Sequence, residues 1–280
     1  MSATAVENCD LSVEGLLPNE RSIGARIIRP VLGKLIEQIP KGRLPPPAER
    51  AIVLGTVGGA SNEIVRFLHE VKRVGPNLVN PGLFPFTVMN ATSGLAAIEF
   101  DCKGPNITLS SGRCSALDAI ICAVELILSG RMQIAFAGGF EPMSQCEETT
   151  SVTQSGPSAS AMLVAITTLS QATAMGIPPL ATLVASTRKL LDDDELTDGS
   201  RFIRETYLAC VADSNFRWFN ETHQIVATSP KQVFLGTLRS IYKTRTDSAQ
   251  CYELRSVCAR SEYETRSSTI FMAVSRGERA

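Results

Sequence analysis

Cysteine and histidine are the residue types in this chain that could carry nucleophilic chemistry. The 280-residue sequence holds eight cysteines but only two histidines, His69 and His223, which lie far apart. Cys114 stands in the segment SSGRCSALDAI (110–120), where an apolar helical pattern begins. A nucleophilic cysteine needs a general base within hydrogen-bonding distance. For Cys114 the candidates for that base are the two histidines.

The overall composition excludes several other classes of function. Lys and Arg total 27 against 28 Asp and Glu, with no dense basic run, so we expect no nucleic-acid partner. No apolar stretch reaches the roughly 20 residues of a membrane helix, and residues 1–10 lack the features of a signal peptide. The cysteines show no CxxC or metal-ligand spacing, which favours reduced thiols in the cytoplasm and no bound metal.

The middle of the chain alternates between two kinds of apolar pattern. Short apolar runs predict buried strands at 51–55, 106–110, 133–137, 160–166 and 180–186. Longer stretches with helical spacing predict helices at 62–74, 84–100, 115–129 and 169–175, and Ser115 is a possible N-cap. Ile64, Val65, Leu68 and Val71 share one face of the helix at 62–74. This alternation predicts βαβ units and a layered α/β fold whose sheet is covered on both faces.

The two ends of the chain are less regular. In residues 1–49, Pro30 interrupts a near-helical pattern at 21–39 and three prolines follow at 45–47, so we expect an arm or an irregular segment. In residues 187–280, weaker patterns suggest helices at 201–213 and 231–242 and strands at 224–228 and 269–275. The predicted organisation is therefore an N-terminal segment 1–49, a main unit 50–186 and a reduced unit 187–280.

A series of motifs between residues 50 and 186 resembles the N-terminal half of the β-ketoacyl-ACP synthases. In order along the chain, they are AIVLGTVGG (51–59), NPGLFPFTVMNATSG (80–94), KGPNITL (103–109), SSGRCSALDAI (110–120), LILSGRMQIAFAGGFEPMS (126–144) and SGPSASAMLVA (155–165). The resemblance implies a thiolase-like layered αβα fold, with an intact N-terminal half and a shortened C-terminal half. It also implies that the GPN strand pairs with its counterpart across a dimer.

The resemblance fails at the residues that perform catalysis in that family. The family's nucleophilic cysteine aligns with Arg113, and Cys114 follows one residue later, rotated by about 100° on the helix. The HGTGT-like loop and the GH dipeptide that supply the family's two histidines are missing, and so is the FGFGG-like turn. The resemblance therefore implies a non-catalytic subunit of the chain-length-factor type, with Arg113 at a vestigial nucleophile position.

A subunit of this type would pair with an active ketosynthase and meet acyl carrier protein through that partner, with no cofactor. The acyl-tunnel or interface residues implied by the resemblance are Phe84, Phe86, Met89, Asn90 and Phe136. For each of them, ordinary core packing is an equally open interpretation. Two other functions also stay open. One is an acyltransferase or thioesterase that uses Cys114, and the other is a homodimeric scaffold without a ketosynthase partner.

Overall fold

The computed structural model describes residues 2–11, 22–142, 159–178, 181–190, 252–261 and 264–275. Within these ranges the strands are β1 (Ser2–Leu11), β2 (Arg50–Gly55), β3 (Asn106–Leu109), β4 (Ile134–Glu141), β5 (Ala159–Thr167), β6 (Ala181–Leu190), β7 (Tyr252–Ser261) and β8 (Glu264–Ser275). The α-helices are α1 (Ile23–Glu37), α2 (Ser61–Val74), α3 (Ala91–Glu99), α4 (Ser115–Leu128) and α5 (Leu169–Met175). Short 3-10 turns occur at Pro47–Glu49, Pro81–Phe86 and Gly112–Cys114.

The described strands form one mixed sheet in the order β3-β2-β4-β5-β1-β6-β8-β7. Strands β3, β2 and β4 run parallel to each other, and the helical connections between them are those that parallel pairing requires. All other neighbouring pairs are antiparallel. The predicted layered α/β architecture is confirmed.

Helices cover both faces of the parallel part of the sheet. Side chains alternate along β4, so Ala135 and Ala137 pack towards α4, whereas Ile134 and Phe136 pack towards α1. Helix α4 is buried along nearly its whole length, and α1 buries Ile27 and Leu32. The expectation that both faces are covered is therefore correct for this region.

The N-terminal segment is more regular than its sequence suggests. Strand β1 pairs antiparallel with β5, and α1 begins at the N-cap residue Ser22, whose hydroxyl accepts a hydrogen bond from Ala25 N–H at 3.2 Å. Pro30 lies inside α1 and does not end it, contrary to expectation. It occupies the exposed side of the helix, so its ring lies away from the core that α1 covers. The boundaries 1–49, 50–186 and 187–280 stay a prediction.

Several other elements differ from their predicted bounds. The segment 84–100 contains the end of a 3-10 turn and then α3, because Pro81 and Pro85 interrupt an α-helical start. Strand β4 continues through Gly138 and Gly139 as far as Glu141. Strand β8 confirms the predicted strand at 269–275, and β7 was not predicted. The elements predicted at 201–213, 224–228 and 231–242 lie outside the described residues.

Candidate functional site at the carboxyl edge of the parallel strands

The three parallel strands end side by side. Gly55 of β2 is in register with Leu109 of β3 on one side and with Gly139 of β4 on the other. The chain segments that leave these strands therefore share one edge of the sheet. In open α/β sheets, ligands bind at the carboxyl ends of the parallel strands. The motif at 110–120, which contains Arg113 and Cys114, begins at this edge because it directly follows β3.

Two glycines let helix α4 approach this edge closely. A Cβ atom at Gly55 would fall on the backbone carbonyl of Ser115, and one at Gly139 would lie 2.7 Å from the Cβ of Ala116. Contacts this short exclude any larger side chain unless the backbone shifts. The first turn of α4 is thus held against β2 and β4 by direct backbone packing.

A network of hydroxyl groups shapes the turn that leads into α4. The Ser111 hydroxyl donates to the buried carboxylate of Asp118, in the first turn of that helix. Ser111 N–H donates to Ser115 Oγ at 2.9 Å, and Ser115 Oγ donates to the Gly112 carbonyl at 2.5 Å. Gly112 has φ of 63°, in the left-handed region that favours glycine. Contrary to the sequence prediction, Ser115 is not the N-cap but the first residue of α4, and its hydroxyl bonds back to Gly112; Cys114 takes the N-cap position without a side-chain cap.

Arg113, the predicted vestigial nucleophile position, and the neighbouring Cys114 are described by the structure to different extents. The backbone of Arg113 lies in the 3-10 turn Gly112–Cys114. The side chain of Arg113 is outside the described part, so its assignment to the vestigial nucleophile position stays a prediction. Cys114 has 0% of its surface exposed and packs in the core that includes Val53 and Ala137. A thiol in this position is closed to a substrate that arrives from solvent.

The neighbouring turn, between β2 and α2, is fastened by a carboxylate. Glu141 Oε1 accepts a hydrogen bond from Val57 N–H at 2.6 Å, and Glu141 Oε2 accepts one from Gly58 N–H at 2.8 Å. Thr56 Oγ1 accepts a third, from Gly59 N–H at 2.9 Å. The sequence interpretation missed Glu141. The available signal was an acidic residue directly after the strand residues Gly138-Gly139-Phe140.

Four of the five predicted tunnel or interface residues lie in the 3-10 turn Pro81–Phe86 or between it and α3. Phe84 is 59% exposed, and its ring makes an edge-to-face contact with Phe67 of α2 at a centroid distance of 6.0 Å. Phe86 and Met89 are half-buried, and the Met89 thioether packs against Gly59. Asn90 is exposed and precedes α3.

The fifth residue, Phe136, lies elsewhere. It is fully buried in the core beneath α1, with Ile27, Leu32 and Leu163. That core lies on the face of β4 opposite to the one that carries Ala135, Ala137 and their contacts with α4. The described core around Phe136 contains none of the other four predicted residues. The structure thus brings Phe84, Phe86, Met89 and Asn90 together and separates Phe136 from them.

Helix α2 exposes much of its apolar face. Ile64 is 39% exposed and Leu68 is 58% exposed, although the sequence places both on one apolar stripe. The residues that α2 buries are Asn62 and Glu63 in its first turn. His69 also lies on the exposed side of this helix, and His223 lies outside the described residues. We call the exposed side chains of Ile64 and Leu68, together with Phe84 of the adjoining 3-10 turn, the α2 surface.

The described residues offer neither a metal-ligand cluster nor a membrane span. Among them, no three His, Cys, Asp or Glu side chains gather in the way that metal ligands do. No helix in this part of the chain combines the length and apolar character needed to cross a bilayer.

The arrangement of sheet and helices defines a thiolase-like α/β protein. Residues 4–176 match the family of the β-ketoacyl synthase N-terminal domain, and the chain belongs to that family. A 70-residue stretch is 33% identical to 3-oxoacyl-[acyl-carrier-protein] synthase 2 of Coxiella burnetii, and it spans 25% of this chain and 17% of that relative. Most of the curated relative is therefore not matched.

Solved structures of the same fold include two from ketosynthase complexes and one from a modular enzyme. The ishigamide ketosynthase/chain length factor matches with a TM-score of 0.65 and 18% identity over 84% of this chain and 75% of its own. The AntDE:AntF complex, described as a type II PKS acyl-carrier protein with its ketosynthase bound to the hexaketide, matches with a TM-score of 0.71 and 10% identity over 92% of this chain and 86% of its own. A ketosynthase from the bacillaene synthase of Bacillus subtilis 168 matches with a TM-score of 0.53 and 12% identity over 84% of this chain and 54% of its own.

Proposed function

We propose that this chain is a non-catalytic ketosynthase-like subunit. It pairs with an active β-ketoacyl synthase and shapes that partner's acyl tunnel, as a chain-length factor does. The pathway would be fatty-acid or polyketide synthesis, with an aryl-polyene type as the specific expectation. Acyl chains would reach the pair on acyl carrier protein, which binds mainly through the partner.

The observation that carries this proposal is the composition of the nucleophile turn. Arg113 stands where the family's cysteine is expected, and the adjacent thiol of Cys114 is fully buried. A guanidinium cannot accept an acyl group, because its nitrogens stay protonated at physiological pH. The family's scaffold together with a buried thiol at the start of α4 supports a subunit that does not carry out the condensation itself.

The outer edge of the sheet supports the pairing. Strand β3 is the last strand of the described sheet on its side. The Pro105 and Leu109 carbonyls bond to β2 and the residue after it, so the alternating residues Asn106 and Thr108 direct their backbone groups away from β2. An edge strand with outward-facing backbone groups is a template for pairing with another chain. A ketosynthase that offers its own equivalent strand would extend the sheet across the dimer.

The α2 surface supports the same pairing independently. Exposed Phe84, Leu68 and Ile64 would stay in contact with water in an isolated chain, which is costly for large apolar groups. Aromatic side chains of this kind commonly carry much of an interface's binding energy. We therefore place the partner against this surface and the β3 edge.

Binding to a partner can be tested by co-purification. This chain, carrying an affinity tag, is co-expressed with a ketosynthase from the same organism, and the two are separated by size-exclusion chromatography. We expect a heterodimer whose dissociation constant rises at least about tenfold in Phe84→Asp, because a buried aromatic anchor typically contributes about 2 kcal/mol or more. Leu128→Asp is the matched control, since Leu128 is 73% exposed at the far end of α4. A stable homodimer that does not bind the ketosynthase would contradict the proposal.

The influence on chain length is tested with the same pair. Reconstituted with acyl carrier protein and extender units, the heterodimer should make longer products when Met89 is replaced by Ala, because a smaller side chain leaves more room. Product length is read by mass spectrometry of the acyl carrier protein. If Met89→Ala binds the ketosynthase normally and product length is unchanged, then Met89 does not line the acyl tunnel.

A further inference from the structure

The geometry points to Glu141 as a positioning residue that holds Met89 in one conformation and so determines acyl-chain length. This inference rests on the proposed role of Met89 in the acyl tunnel. Its structural part, the coupling of Glu141 to Met89, stands on the described contacts alone. Glu141 and Met89 lie on different elements, and the turn between β2 and α2 connects them.

The first step is the attachment of the turn to β4. Both carboxylate oxygens of Glu141 accept backbone N–H groups, from Val57 at 2.6 Å and from Gly58 at 2.8 Å. Hydrogen bonds to an ionised carboxylate are stronger than those between neutral groups. Two of them on consecutive residues fix both the position and the orientation of the turn relative to the end of β4.

The second step is the conformation that this attachment maintains. Gly59 follows directly and has φ of 49°, in the left-handed region. Its N–H donates to Thr56 Oγ1 at 2.9 Å, so the turn is closed from within as well. Thr56 itself is fully buried and its N–H bonds to the Leu109 carbonyl of β3 at 3.0 Å. The turn is thus anchored at both ends of its short length.

The third step is the contact with Met89. A Cβ atom at Gly59 would fall on the Sδ and Cε atoms of Met89. The end of the methionine side chain therefore fills the space that only a glycine leaves open. Methionine has three rotatable side-chain bonds and adapts to irregular spaces, so its conformation depends on the surface it packs against. Moving the turn changes that surface.

The consequence concerns specificity. If Met89 borders the growing acyl chain, then the length at which growth stops depends on where its thioether lies. Glu141 would set that position without touching the acyl chain itself. We expect variants of Glu141 to broaden the product distribution, whereas Met89→Ala shifts it towards longer chains.

The structural part is tested by NMR on the full chain labelled with [13C]methyl-methionine. The Met89 signal is assigned as the one that disappears in Met89→Ala. In Glu141→Gln we expect this signal to shift and broaden, because one charge-assisted hydrogen bond to the turn is lost. Glu37→Gln is the matched control, since Glu37 is exposed at the end of α1. A Met89 signal that is the same in Glu141→Gln, Glu37→Gln and the native chain would overturn the inference.

A second variant guards against loss of folding in Glu141→Gln. Gly59→Ala leaves Glu141 intact and places a methyl group on the Met89 thioether, and the strain of alanine at a φ of 49° is the same with or without Met89. It should move the same methionine signal and change product length. In the Met89→Ala background, Gly59→Ala should change product length much less, because the side chain it displaces is gone. Equal effects of Gly59→Ala in both backgrounds would contradict the coupling.

The failure of this inference can be separated from the failure of the proposed function. If Met89→Ala changes product length and Glu141→Gln does not, the positioning role of Glu141 is wrong and the tunnel role of Met89 stands. If the Met89 signal moves in Glu141→Gln but neither Glu141→Gln nor Met89→Ala alters product length, then Met89 does not determine chain length. In that case the proposed function is wrong about the acyl tunnel, while the coupling of Glu141 to Met89 stands.

Discussion

The Glu63 carboxylate, in the first turn of α2, accepts a hydrogen bond from Ile23 N–H, in the first turn of α1, at 2.6 Å. Glu63 is only 7% exposed, and its second oxygen, Oε2, has no hydrogen-bond partner among the described residues. Burial raises the pKa of Glu63 above its ordinary value of 4.5, although the bond from Ile23 N–H opposes this. The residue thus joins two helices and also places in the interior a charge that burial disfavours.

The free energy of unfolding should therefore depend on pH through Glu63. A carboxyl with a raised folded pKa contributes stability that is fully present below pH 4.5 and is lost as pH rises through the folded pKa. Glu63→Gln keeps an acceptor for Ile23 N–H and removes the charge. We expect it to gain stability relative to the native chain as pH rises from about 4 to about 8.

Urea unfolding followed by circular dichroism, at several pH values, measures this effect. Glu63→Ala is the control: it also removes the charge but leaves Ile23 N–H without its acceptor, so it should be about 1 kcal/mol less stable than Glu63→Gln at every pH. A difference between Glu63→Gln and the native chain that does not vary with pH would show that Glu63 has an ordinary pKa.

A side chain at Gly55 of β2 should clash with the first turn of α4. Because a Cβ there meets the Ser115 carbonyl, Gly55→Ala should destabilise the chain by about 1–3 kcal/mol through overpacking. Gly94→Ala is the matched control. Gly94 lies inside α3, and a Cβ atom there would meet nothing within 4 Å, so the same substitution should be stabilising by about 0.5–1 kcal/mol. Thermal unfolding measures the stability of Gly55→Ala and Gly94→Ala. Equal changes in their melting temperatures would contradict the close contact of α4 with β2.

Sequence patterns predicted those helices and strands whose own apolar residues are enough to identify them. Strand β2 and helices α4 and α5 follow from continuous apolar runs or helical spacing, which need no knowledge of distant partners. Strand β1 was missed because its sequence, SATAVENCDL, mixes polar and apolar residues. It becomes a strand by pairing with β5, more than a hundred residues away.

In the candidate site too, features formed by consecutive residues could be predicted, and contacts between distant residues could not. The position of Arg113 at the start of α4 could be derived from motif spacing, because β3, the turn and α4 are consecutive in the chain. The Glu141 contacts could not, because Glu141 lies 83 and 84 residues from the N–H groups it binds. Only the parallel pairing of β2 with β4 brings them together. Helix α2 was predicted correctly from its apolar stripe, but the exposure of that stripe depends on what packs nearby, which periodicity does not contain.

The Ser111–Asp118 hydrogen bond should contribute more to the free energy of unfolding than the hydrogen bond of an exposed serine does. Ser111→Ala removes a donor from a buried carboxylate, which should cost about 1–3 kcal/mol. Ser129→Ala is the control, because Ser129 Oγ bonds to the Leu126 carbonyl at an exposed helix end and its loss should stay within about 0.5 kcal/mol. Urea unfolding of the two variants compares them directly. A Ser111→Ala variant as mild as Ser129→Ala would mean that Asp118 does not rely on this hydroxyl.

The reactivity of the cysteines distinguishes a non-catalytic subunit from a thiol enzyme. Burial raises the pKa of Cys102 to about 11, so at about pH 8 roughly one thiol in a thousand is ionised there. Cys114 is closed to solvent by its packing. Treatment of the native chain with iodoacetamide, followed by peptide mapping, should leave both unlabelled, and urea should expose both to the reagent. Fast and selective modification of Cys114 in the native chain would instead favour an acyltransferase or thioesterase, because only an accessible thiolate reacts in this way.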